Sequence, residues 1–184
     1  MRVETGEILE KNGDAILVPS SAYLTYNGLA HVAFFDEGVS TTIANLYPPI
    51  RYKLADQINK TGNFVFILTA SSESGFAYRP FMPECKSPTY HLVNFPTKPG
   101  RIYINEFKNE ILPRYRKKLL NNADTMPGYM VSPNKGIIEE SIKEVIELVN
   151  KTNWARILVP AFEQEDLNTL LSSTLDDRFV IIKQ

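Results

Sequence analysis

The stretch that most constrains this chain is "GIIEESIKEVIELVNKTNWARILVP", Gly136 to Pro160. Ile138, Ile142, Val145, Ile146 and Val149 recur at helical spacing, with Glu and Lys on the opposite side. The pattern predicts a helix from Gly136 to Lys151 with one apolar face. The run Arg156 to Val159 that follows is apolar without alternation, as in a strand covered on both faces. A helix feeding directly into a buried strand marks layered α/β structure.

The rest of the chain agrees. Strands are predicted at Arg2–Glu4, Ala15–Val18, Phe64–Thr69, Tyr90–Asn94 and Phe179–Ile182. Helices are predicted at Leu29–Glu37, Ile50–Lys60 and Glu165–Ser173. The expected architecture is a three-layer α/β/α domain with a mixed, mostly parallel sheet. The 184 residues suit one domain, 1–184, with an insertion at about 101–131.

Charge and composition narrow the function classes. A formal net charge of −1 argues neither for nor against a polyanionic partner. Cys85 is the sole cysteine, so an internal disulfide is excluded and a reducing compartment fits. His31, His91 and Cys85 are too few for a zinc site, and no metal or cofactor is expected. The N-terminus does not read as a signal peptide, and no apolar stretch approaches the roughly 20 residues of a membrane span. The expectation is a cytoplasmic protein with no membrane partner.

Several residues carry possible chemistry, each beside a plainer role. The strand at Ala15 runs into a loop with Pro19, Ser20, Ser21, Tyr23, Tyr26 and Gly28, where ligand phosphates often sit in α/β domains. Tyr23 and Tyr26 are placed to stack on a base or ribose, or to pack beneath the loop. His31 is a candidate base on the short helix, or an ordinary helix histidine. Ser20 and Ser21 lack a G-x-S-x-G elbow, which argues against a serine hydrolase. Glu163, Glu165 and Asp166 suit a divalent cation or general-base chemistry, and suit equally well the acidic first turn of a helix. "SSESGFAYRP" (Ser71 to Pro80) is a candidate cleft rim, and Lys98 a candidate phosphate contact. In the insertion, Lys108, Arg114, Arg116, Lys117 and Lys118 lie among Phe107 and Tyr115. That cluster is a candidate surface for protein or nucleic acid, or a solvated helix face.

Taken together, "GEIL", "DAILVPSSAYL", "HLVNFPTK" and "SIKEVIELVNKTNWARILVPAFEQEDL" resemble the macro domain family. "NFPTK" (Asn94 to Lys98) is most similar to the branch that removes ADP-ribose from nucleic acid or carboxylate side chains. The resemblance implies a mixed sheet between helices, with ADP-ribose in a cleft at the strand ends. It places Glu7, followed by Ile8, where the family has the Asp that contacts adenine. The two asparagines of the family's N-A-A-N fall on Val18 and Ser21. The glycine-rich loop becomes Asn27-Gly28-Leu29-Ala30. The branch's catalytic lysine aligns with Gly28, and no lysine lies between Lys11 and Lys53.

The second phosphate loop departs furthest. After Pro160-Ala161 the family places glycines whose N–H groups approach a pyrophosphate; here stand Phe162, Glu163, Gln164, Glu165 and Asp166. Each carboxylate about 4 Å from a phosphate costs roughly 1–4 kcal/mol. The implied ligand-binding set is Glu7, Ile8, Ser20, Ser21, Tyr23, Tyr26, Asn27, Gly28, Ala161 and Phe162. Ser21, His31, Glu163 and Glu165 are the candidates for catalysis. The reading is a divergent macro domain that binds ADP-ribose or a related nucleotide metabolite, with hydrolysis left open because the lysine and glycine loop are missing. The alternatives are a non-catalytic interaction protein using the basic insertion, and an enzyme rebuilt around the 163–166 carboxylates.

Overall fold

The computed structural model describes residues 2–23, 38–46, 50, 53–54, 57, 63–68, 91–101 and 133–183. The apolar runs pair side by side, and among the described residues six strands form one sheet. They are β1 (Arg2–Thr5), β2 (Ala15–Tyr23), β3 (Phe66–Ile67), β4 (His91–Arg101), β5 (Ile157–Pro160) and β6 (Phe179–Lys183). The helices are α1 (Val39–Leu46), α2 (Lys135–Val149) and α3 (Glu165–Thr174), with a 3₁₀ turn at Ile8–Glu10. The strand order is β1-β6-β5-β2-β4-β3. Every neighbouring pair is parallel except β3 against β4.

Side chains alternate across a strand, so each central strand serves two layers. Ala15, Leu17, Val93, Phe95, Ile157, Val159, Phe179 and Ile181 are buried in one cluster with Ile138, Ile142, Val145 and Val149 of α2. Leu167 and Leu171 of α3 join them. The alternate residues Ile16, Val18, Leu92, Leu158, Val180 and Ile182 are buried too, outside that cluster. Val39 and Ile43 of α1 are likewise buried outside it. This is the mixed, mostly parallel α/β sheet expected, buried on both faces.

One polar contact and one close approach fix the start of β2 against β5. One Asp14 carboxylate oxygen accepts the N–H groups of Ala155 (2.8 Å) and Arg156 (2.9 Å) just before β5. Gly13 lies so close to β5 that a Cβ there would meet Leu158 Cγ at 2.9 Å. At the other end of α2, Asn134 caps the helix by accepting the Ile137 N–H at 3.1 Å.

The structure also departs from the predicted boundaries. β2 and β4 run on well past Val18 and Asn94, through Pro19 and Pro96, which the sequence alone reads as strand ends. Helix α1 was not expected, because Ser40, Thr41, Thr42 and Asn45 are weak helix formers. Residues 50, 53, 54 and 57 are helical, within the predicted Ile50–Lys60. The predicted helix Leu29–Glu37 and the basic insertion beyond Arg101 lie outside the described residues. No helix among the described residues is long and apolar enough to cross a membrane.

Candidate functional site

Among the described residues, the strand order changes direction between β2 and β5. From β2 the chain leads to β4 on one side; from β5 it leads through α3 to β6 on the other. The carboxyl ends of β2 and β5 therefore flank a switch point, where open α/β sheets bind ligands. The strands also part there. β2 and β5 are in register only at Ala15↔Ile157 and Ile16↔Leu158. Beyond that, β2 follows β4 to Tyr23↔Arg101, and β5 follows β6 to Pro160↔Ile182. Pro19 and Pro160 stand just past the split, and neither has an N–H left to satisfy.

The β2–β4 wall is bent and braced. Register shifts between Ser20 and Ser21, and between Ser21 and Tyr23, put extra residues on β4. Ser21 pairs with Lys98 and Tyr23 with Arg101. The carbonyls of the two strand prolines accept hydroxyls from the helices: Ser40 donates to Pro19 at 2.7 Å and Ser141 to Pro96 at 2.8 Å. Ser20 is fully buried and its hydroxyl donates to Asn94 Oδ1. Asn94 Nδ2 donates to Asn63 Oδ1 and to the Phe64 carbonyl, each at 2.8 Å. Among the loop candidates, Ser20 thus points into the sheet, one residue before Ser21.

The β5 wall is shaped by Asn168, which the sequence reading passed over. Asn168 is 5% exposed on α3. Its Oδ1 accepts the Phe162 N–H at 2.8 Å and its Nδ2 donates to the Phe162 carbonyl at 2.8 Å. The Ala161 N–H donates to Ile182 at 3.0 Å, extending the β5–β6 ladder. Ala161 and Phe162 are half-buried against the core, whereas Glu163, Gln164, Glu165 and Asp166 are exposed. The signal for Asn168 was its place beside Leu167 on the inward face of a helix, where a polar residue needs partners.

Further along the rim, Gly6 adopts φ 115°, which favours glycine, and donates its N–H to Lys183 at 2.9 Å. Glu7 follows, exposed, and Ile8 is buried at the foot of the 3₁₀ turn. The rim from Glu7 to Ser21 crosses the ends of β1, β6, β5 and β2, roughly 14 Å at the usual strand spacing. Tyr26, Asn27, Gly28 and His31 lie outside the described residues. Among the described residues, no group of three His, Cys, Asp or Glu side chains is arranged to hold a metal ion. His91 sits at the opposite end of the sheet, stacked on Trp154 with ring centroids 4.9 Å apart.

No family model matches the sequence, and no curated protein matches it either. Solved structures do. The macrodomain of Mycobacterium tuberculosis DarG superposes with a TM-score of 0.53 at 15% identity, over 98% of this chain and 96% of that one. The macrodomain of Thermus aquaticus DarG gives 0.50 at 14% identity, over 100% of this chain and 97% of that one. The chain has the macrodomain fold.

Proposed function

We propose that the crevice between β2 and β5 binds ADP-ribose or a related nucleotide metabolite. One observation carries the reading: in a macrodomain fold, β2 and β5 part at the topological switch point. Ser21 and Lys98 stand level on one wall, and Ala161 and Phe162 form the other. Glu7 at the end of β1 is the acceptor for an adenine amino group, three strands along the same rim. Tyr23, Tyr26, Asn27 and Gly28 complete the ligand set proposed for the β2 side. Titration calorimetry with ADP-ribose and with adenosine, with and without Mg²⁺, tests this: saturable heat from either supports it, and no heat from both at millimolar concentration removes it.

A second reading, cleavage of an ADP-ribosyl bond, is favoured by the register. The lysine sought at Gly28 is missing, but the β2–β4 pairing brings Lys98 level with Ser21. An amine at that level supplies the nucleophile or acid such a reaction needs. Release of ADP-ribose from modified DNA or carboxylate-modified peptide, abolished in Lys98→Ala, would support it. A release rate unchanged in that variant would dismiss Lys98 from the chemistry.

A further inference from the structure

We propose that the crevice selects a nucleoside or ribosyl ligand over one seating a diphosphate on the β5–α3 loop, and that Asn168 sets this preference. The inference rests on the crevice being the binding site and narrows the ligand class it takes.

The first two donors of the loop are taken. Phosphate recognition by a loop after a buried strand uses outward-facing backbone N–H groups. Here the first two are already engaged: Ala161 with Ile182 at 3.0 Å and Phe162 with Asn168 at 2.8 Å. Asn168 also holds the Phe162 carbonyl at 2.8 Å, so the peptide groups on both sides of Phe162 are held from one buried side chain. Turning that N–H outward would strand a buried amide. The chain after Gly136 contains no glycine, so no loop residue offers a backbone free of a Cβ.

The loop has also acquired the wrong charge. Glu163, Glu165 and Asp166 are exposed, and Lys183 reaches Glu165 at 3.7 Å. One ammonium against three carboxylates leaves the loop two charges negative. The N-terminus of α3 would attract an anion, but Glu165 and Asp166 in its first turn already answer that dipole. On the opposite side, the strand register sets Lys98 level with Ser21. A sugar or base fits this asymmetry; a diphosphate against β5 does not.

The test compares adenosine with ADP-ribose by calorimetry on the wild-type chain, on Asn168→Ala and on a Glu163→Gln, Glu165→Gln, Asp166→Asn triple variant. Adenosine is expected to bind the wild type at least as tightly as ADP-ribose. The triple variant should gain roughly tenfold for ADP-ribose while adenosine stays unchanged. Asn168→Ala should move the ratio the same way. The triple variant changes only exposed residues, so the comparison stands even if Asn168→Ala does not fold. Wild-type affinity for ADP-ribose tenfold above adenosine would overturn this preference and leave the crevice reading intact. An unchanged ratio in the triple variant would also overturn it. Silence from both ligands would remove the crevice reading and this inference together.

Discussion

Asn94 on β4 holds Ser20 on β2 through the sheet interior: the Ser20 hydroxyl donates to Asn94 Oδ1 one residue before the chain reaches the crevice. The Asn94 amide is fully used, since both Nδ2 hydrogens go to Asn63 and Phe64. Ser20, Asn63 and Asn94 are buried, where an unpaired polar group costs about 1–3 kcal/mol. Asn94→Leu is therefore expected to destabilise the fold by about 3 kcal/mol, measured by urea denaturation. Asn94→Asp keeps an acceptor for Ser20 but loses both donors, and should recover little of that. A loss below about 0.5 kcal/mol in both variants would show that the network does not brace this wall.

Asp14 belongs to the segment that resembles a ligand motif, yet its carboxylate serves the scaffold. It accepts two N–H groups at the entry to β5, on the sheet edge away from the crevice. Asp14→Ala should cost about 2 kcal/mol in stability. Ligand affinity measured below the unfolding transition should stay within about twofold. A selective loss of affinity without loss of stability would move Asp14 into the site.

Gly13→Ala should destabilise by about 1–3 kcal/mol, because the new Cβ meets Leu158 Cγ at 2.9 Å and the Arg156 carbonyl at 3.3 Å. Thermal unfolding checks this. A neutral result would mean that β5 can shift away from the turn.

Arg178 holds the Asp176 carboxyl below its ordinary range, chiefly through their side-chain hydrogen bond. A carboxyl depressed in the folded state adds stability that is fully present above its unfolded pKa, about 3.9, and is lost as pH falls through its folded value. The pair is exposed at the start of β6, so its contribution is under about 1 kcal/mol. The stability difference between wild type and Arg178→Gln should be constant from neutral pH to about pH 5 and shrink toward pH 2. A difference that grew on acidification would contradict the pairing.

Much of the fold was legible because its central strands and α2 are governed by burial alone. Ile138 to Val149 and the continuous apolar runs admit few arrangements other than a covered parallel sheet. The strand ends were not legible, because Pro19 and Pro96 break local rules that tertiary hydroxyls from Ser40 and Ser141 repair. Helix α1 escaped for a related reason: Val39 and Ile43 are buried by the tertiary fold, while their neighbours have poor intrinsic helicity. At the proposed site, the sequence reading named Ser21, Ala161 and Phe162 but not the side chains bonded around them. Asn168 and Asn94 act through bonds to Phe162 and Ser20, and no spacing rule announces such partners. The level placement of Lys98 and Ser21 depends on a bulged register, which only the paired strands reveal.

The central claim is that the parted ends of β2 and β5 form the ligand site. Crystals of the full chain soaked with adenosine or ADP-ribose test it most directly. The prediction is ligand density between Ser21 and Ala161, with Phe162 still held by Asn168. Ligand bound elsewhere on the molecule, or an empty crevice at saturating concentration, would contradict it.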